Sequence, residues 1–304
     1  MEYALRTRDL SKKYKDFQAL DHCSMNVPKG SVYGFVGENG AGKTTLIRIV
    51  CALQKASEGH SELFGISDDN PEIIYERNRM GAIVETPALY PDMSARENLE
   101  AQAELLEVSD FHPEPILALV GLSETGNKKA KHFSLGMRQR LAIGMALTGQ
   151  PDLILLDEPV NGLDPQGIID LRELILKLNQ EQQITFLISS HYLSELSRLA
   201  TYYGFIRNGQ ILAEISSDDL MEKADPGFIL HIKTEDRPAL IAWLDEENIP
   251  FKVIDDHSLH IKSDLKSAEL SLQLARQGIL LEGIQEKGQD LESIYMQIMN
   301  GGSL

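Results

Sequence analysis

The chain is sparing with several residue types. Its 304 residues include two cysteines and one tryptophan, and 6% are aromatic. Apolar residues nowhere run to the about 18 in succession that a membrane-crossing helix needs. Cys23 and Cys51 have neither CxxC nor metal-type spacing, as a reducing compartment favours, and neither is given a role. Basic residues are also short, with 29 Lys and Arg against 46 Asp and Glu, for a net charge of −17. A nucleic-acid binder carries a basic footprint, and this chain shows the reverse, so no nucleic-acid partner is expected. An anionic lipid surface would repel the chain, and any residence at a membrane calls for a protein partner. The opening segment MEYALRTRDLSKKYKDF is charged throughout and lacks the apolar core of an export signal. We therefore expect a chain that neither crosses a membrane nor is exported.

What is present divides near residue 215. Before it, short apolar runs such as SVYGFVG (31–37), MGAIVE (80–85), LILLDE (153–158) and ITFLISS (184–190) alternate with helical stretches. That alternation predicts buried parallel strands in an α/β sheet. Asn208-Gly209, between FIR and QILAEI, predicts a hairpin that closes this domain over residues 1–215. Residues 216–304 predict the order β-α-β-β-α-β-α, a small α+β accessory domain of the split βαββαβ kind. This part holds 8 basic and 17 acidic residues, making it the more acidic of the two.

Chemistry concentrates in GENGAGKTT (37–45), which follows an apolar strand and precedes a helical run, the context G-x-x-x-x-G-K-[ST] requires. Glycines at 37, 40 and 42 permit backbone conformations and close approaches that a β-carbon blocks. Consecutive amides then face phosphates at a helix N-terminus. Gly37, Asn39, Gly40, Ala41, Gly42, Lys43, Thr44 and Thr45 are thus the candidate nucleotide-binding set. Lys43 would reach the β- and γ-phosphates of ATP, and the Thr44 hydroxyl would bind Mg²⁺. A second strand, LILLDEP (153–159), ends in adjacent carboxylates whose side chains point to opposite faces. They cannot share one task, so Asp157 is assigned to the metal through water and Glu158 to deprotonating the attacking water.

Together these segments resemble the ATP-binding subunits of ABC transporters, and the resemblance covers nearly the whole chain. Tyr14 in LSKKYKDFQAL lies where that family stacks an aromatic on adenine, with Phe17 the alternative. FSLGMRQR (133–140) is similar to the signature motif, with Ser134 and Gly136 at its phosphate-facing positions. NGLD (161–164) resembles the loop at the dimer seam, and His191 in ISSH occupies the switch-histidine position. Ser134 and Asp164 also read as ordinary helix caps, a role compatible with either assignment. Glu85 falls near the metal, where the family usually carries glutamine.

The resemblance implies an ABC-type P-loop domain, with a mixed sheet, an antiparallel β part and a helical signature subdomain. It also implies hydrolysis of ATP with Mg²⁺, by two nucleotide domains that sandwich two nucleotides as a homodimer or pseudo-dimer. The partners it implies are that second ATP-binding subunit and an integral membrane permease, which would hold the chain at the inner face of the cell membrane. The signature reads SLGM instead of the commoner SGGQ, one departure; Glu85 is the other. ETPALYPDMSARENL, SLGMRQRL and the terminal DLESIYMQIM resemble the subgroup that exports peptide antibiotics such as bacitracin and lantibiotics. A non-transport ABC ATPase working on DNA or ribosomes, and a regulator using ATP as a switch, are the competing classes.

Overall fold

The computed structural model describes residues 2–224, 227–263, 265–287 and 291–299. They fall into two compact units, one spanning Met1–Ser217 and taken up again at Gln297, the other Asp218–Met296.

The first unit opens with a long antiparallel hairpin of β1 (Tyr3–Tyr14) and β2 (Phe17–Pro28). Strand β3 (Val32–Val36) then leads through the glycine-rich loop into helix α1 (Lys43–Val50). Strands β4 (Glu58–Leu63) and β5 (Ile66–Ser67) join the hairpin in the order β2-β1-β4-β5. A short helix α2 (Ile73–Arg77) precedes β6 (Met80–Ile83). Three helices follow, α3 (Ala95–Leu105), α4 (Pro113–Leu119) and α5 (Leu135–Leu147), each packed on the other two. Gly144 permits that packing, since a β-carbon there would lie 3.1 Å from Ile116 and 3.4 Å from Leu99.

The chain returns through β7 (Leu153–Asp157), α6 (Pro165–Gln182), β8 (Thr185–Ser190), the short α7 (Leu193–Leu196), β9 (Tyr202–Arg207) and β10 (Gln210–Ser216). The second sheet has the order β10-β9-β3-β8-β7-β6, parallel except for the hairpin of β9 and β10. Every residue of β3, β7 and β8 is buried, which explains the apolar runs at their centres. Helix α1 lies in one core with both sheets: Leu46 and Ile47 share it with Leu5 and Met25 and with Phe35 and Leu155.

One part-buried polar link ties the layers further. Tyr33 Oη donates to Glu214 Oε1 at 2.7 Å, and Asn26 donates to Glu214 through its backbone N–H at 2.7 Å and its side chain at 2.8 Å. Gly204 makes room, because a β-carbon there would come within 2.0 Å of the tyrosine oxygen. At the Asn208-Gly209 turn both residues are left-handed, with φ of 49° and 78°, as a two-residue hairpin demands.

The second unit includes most of α8 (Ser217–Ala224), followed by β11 (Gly227–Ile232), α9 (Arg237–Glu246), β12 (Phe251–Val253), β13 (Ser258–Ile261), α10 (Ser267–Arg276), β14 (Leu281–Lys287) and the first part, through Met296, of α11 (Leu291–Met299). From β11 onward this is the element order read from the sequence. The four strands pair antiparallel in the order β12-β13-β11-β14, and Leu240, Trp243 and Leu270 of the helices share a core with Leu230 and Leu259 of the sheet. His257 lies just before β13, in a turn closed by Asp255, whose carboxylate accepts its backbone N–H at 2.8 Å. The stretch expected to form the last helix begins at Asp290 and ends at Asn300, both outside the described residues. Among the described residues no helix is long and apolar enough to cross a membrane.

Candidate nucleotide site

Three strands of the parallel sheet end at one level, with Phe35 paired to Ser189 and Ser189 to Asp157. The loops that follow β3, β7 and β8 therefore open on a common edge, the place where open α/β sheets bind ligands. After β3 the glycine-rich loop is set by contacts of its own. A β-carbon on Gly37 would meet the Ile206 carbonyl oxygen at 2.4 Å, and one on Gly42 the Ala19 oxygen at 2.6 Å. Gly40, at φ 82°, would meet nothing within 4 Å, so this bend of the loop faces open space. Gly209 N–H donates to the Ala41 carbonyl at 2.9 Å, bracing the loop from the distant hairpin turn.

Lys43 is 5% exposed, and its ammonium donates to the carbonyls of Gly37 at 2.6 Å and Glu38 at 3.2 Å. It also lies 3.1 Å from Glu158 Oε1. The second Glu158 oxygen lies 2.9 Å from His191 Nδ1 and accepts from Asn161 Nδ2 at 3.3 Å. Glu158 thus sits between a lysine from the loop and a histidine from the end of β8. Its φ of 48° is left-handed, a strained conformation for a residue with a β-carbon.

Asp157, the last residue of β7, is 3% exposed. Its Oδ2 accepts from Thr44 Oγ1 at 2.8 Å and its Oδ1 from Ser189 Oγ at 2.6 Å. The oxygen pair of Thr44 and Asp157 is a hard donor set that suits Mg²⁺, which binds through one or two protein ligands plus substrate phosphates. Among the described residues no group of three or more His, Cys, Asp or Glu is placed to hold a metal on its own.

Other sequence-selected residues stand apart from this cluster. Glu85 is left-handed at φ 61°, and its carboxylate pairs with Arg48 at 2.7 Å. Arg48 is four residues beyond Thr44 on α1, on the same helix face. Tyr14 is half exposed at the tip of the first hairpin, with Lys12 5.2 Å from its ring centre and its hydroxyl bonded to Gln54. Phe17, its cross-strand neighbour, is 60% exposed. Asn39 is exposed and Thr45 partly buried. Ser134 caps α5, its hydroxyl accepting from Met137 N–H at 3.2 Å. Gly136 follows on the first turn, and Asp164 caps α6 through Gly167 N–H at 3.1 Å. Ser134, Gly136 and Asp164 together line a cavity of about 170 Å³. Among the described residues no hydrogen bond joins them to the glycine-rich loop of their own chain.

Sequence reasoning passed over Ser189, whose hydroxyl touches both carboxylate residues, and Asn161, which reaches Glu158. Ser189 shows in the sequence only as a polar residue inside an apolar strand run.

A glycine-rich loop at the end of a central parallel strand, with its lysine, threonine and acidic strand end assembled, defines a P-loop nucleotide-binding protein. The family model described as ABC transporter matches residues 20–161. Over the whole chain, the bacitracin transport ATP-binding protein of Bacillus licheniformis is 35% identical across 308 aligned positions, 100% of each chain. The lantibiotic transport ATP-binding protein of Streptococcus pyogenes is 40% identical over 214 positions, 70% of this chain and 91% of its own. Among solved structures, a dimeric ATP-binding cassette in a post-hydrolysis state with ADP and Pi superposes with a TM-score of 0.62 at 26% identity, covering 70% of this chain and 98% of its own. The chain belongs to the ATP-binding proteins of ABC transporters, and it is an ATPase.

Proposed function

We propose that this ATPase drives a separate membrane permease that exports a peptide antibiotic or a related amphipathic substrate, giving self-protection or resistance. The full-length likeness to a bacitracin transport protein and the likeness to a lantibiotic transport protein support that substrate class. Acting on DNA or ribosomes fits poorly with a net charge of −17.

In this scheme Lys43 and the loop amides hold the phosphates, and Tyr14 covers the adenine. Thr44 and Asp157 would hold Mg²⁺, which when bound neutralises phosphate charge. Glu158 takes the proton of the attacking water, while His191 and Asn161 hold its carboxylate. Ser134 and Gly136 serve the nucleotide of a second copy, so two chains close over two ATP molecules and part after hydrolysis. The observation that carries the scheme is the place of Glu158 between Lys43 and His191, at 3.1 and 2.9 Å.

For the permease we assign the groove of about 450 Å³ beside the edge strand β6, flanked by α3 and α5. Met80, Ile83, Leu106 and Met145 give it an apolar lining, and among the described residues Arg77 is the one charged side chain that lines it. The Arg77 Nε is buried without a hydrogen-bond partner, an incentive for an incoming segment that brings an acceptor. Glu85 links groove to site: its carboxylate neutralises Arg48, and turning it toward the metal means breaking that pair.

The test is co-expression with the candidate permease. Membranes carrying both should export a bacitracin- or lantibiotic-type peptide with ATP, and Glu158→Gln should abolish export. Export that persists with Glu158→Gln would overturn the proposal.

A further inference from the structure

Ser189 is fully buried at the end of β8, and both hydrogen-bonding functions of its hydroxyl are spent on the site. It donates to Asp157 Oδ1 at 2.6 Å and accepts the Glu158 backbone N–H at 2.9 Å. From this geometry we propose that Ser189 is a positioning residue that sets both acidic side chains at once, Asp157 for the metal and Glu158 for the water. The assignment rests on the roles proposed above for those two carboxylates.

The first half concerns rotamer. Asp157 is held by two hydroxyls, Thr44 on Oδ2 and Ser189 on Oδ1. Thr44 is itself a candidate metal-side oxygen: a cation there would take a lone pair of that oxygen and leave its proton donating to Asp157 Oδ2. Ser189, by fixing Oδ1, keeps the other oxygen, Oδ2, turned toward Thr44 and the metal side. Positioning groups of this kind typically tune a metal by about 10- to 100-fold.

The second half concerns backbone. Glu158 follows the last residue of β7 and turns left-handed at φ 48°, where its N–H faces Ser189. Such a conformation persists only where the surroundings over-determine it. The hydroxyl of Ser189 supplies a tether at that point. Without it the residue is free to relax, and its carboxylate leaves the position between Lys43 and His191.

A buried hydroxyl serving only structure would affect folding and nothing else. A positioning hydroxyl separates the readouts. In the full-length protein, Ser189→Ala should bind metal-free ADP as the parent does, yet bind Mn²⁺ to the ADP complex about tenfold more weakly, read by electron paramagnetic resonance. Its kcat should fall with ATP KM unchanged, and Ser189→Thr, which keeps the hydroxyl, should restore both. Parent-like Mn²⁺ affinity and kcat in Ser189→Ala would overturn the assignment, as would a loss of both that merely tracks the fraction unfolded in a thermal melt. Asp157→Asn and Glu158→Gln run alongside. If they too behave as the parent, the underlying roles fail; if they lose function while Ser189→Ala does not, only the part given to Ser189 fails.

Discussion

Glu158 and His191 meet through a carboxylate oxygen and Nδ1 at 2.9 Å, although 33 residues separate them in the chain. The other carboxylate oxygen faces Lys43, so Glu158 is oriented from both sides. Glu158→Gln keeps the size and the acceptor oxygen but cannot take a proton. It should bind ATP while releasing phosphate about 10²- to 10⁴-fold more slowly, measured by equilibrium nucleotide binding and steady-state phosphate release.

The glycines of the loop should respond unequally to an added methyl group. Gly42→Ala imposes strain at φ 112° and drives a carbon to 2.6 Å from the Ala19 carbonyl, so backbone must move. Gly40→Ala meets nothing within 4 Å and bears only the left-handed penalty, about 1–2 kcal/mol. Thermal melts should therefore show a larger drop for Gly42→Ala. Equal drops would mean that the packing of α1 against the antiparallel sheet does not set the loop.

Arg77→Glu places a negative charge in the groove beside β6 without touching the nucleotide cluster. ATPase activity of the isolated chain should be unchanged, while co-purification with the permease in detergent should be lost. Retained permease with the reversed charge would move docking away from this groove.

Acid titration gives a check on the capping box before α3. The Ser94 backbone N–H, and next the Lys129 ammonium, hold the Glu97 carboxyl at about 2, below its ordinary 4.5. A carboxyl with a folded value under its unfolded one stabilises the fold above the unfolded value and loses that contribution as pH falls through the folded one. The parent should therefore exceed Glu97→Gln in stability above pH 4.5, with the gap closing toward pH 2 in denaturant titrations. The side chain is exposed, so high salt should shrink the gap.

Burial raises both thiols, Cys23 and Cys51, to about 12. Thiolate is the reactive form, so neither should be alkylated appreciably at pH 8 in the native state, and both should react after unfolding. Mass spectrometry of iodoacetamide-treated protein reads the difference directly.

Much of the nucleotide cluster was legible because its signals are local. A glycine spacing, a lysine and a threonine within nine residues, and paired acids at the end of an apolar run need no knowledge of distant contacts. The β-α-β-β-α-β-α order after residue 216 was legible for the same reason, since strand and helix periodicities stay within one segment. Ser189 was not, because its meaning comes from register across β7 and β8, which only the assembled sheet supplies. The Arg48–Glu85 pair was hidden likewise: 37 residues separate the partners, and nothing in either segment marks them as neighbours. Glu85 reads as a metal-side acid from its place in the chain, but its carboxylate rests on a guanidinium one helical turn past Thr44.

The turn at Asn208-Gly209 has a consequence for synthesis. Its Gly209 N–H holds the Ala41 carbonyl and its carbonyl accepts Asp21 N–H, both at 2.9 Å, and β3 lies between β8 and β9. The phosphate cradle is encoded early but braced by segments translated some 150 residues later. A nascent polypeptide halted short of this turn carries every letter of the motif without the scaffold that shapes it. On the ribosome, competence to grip ATP should arrive abruptly once the β9–β10 hairpin clears the exit tunnel.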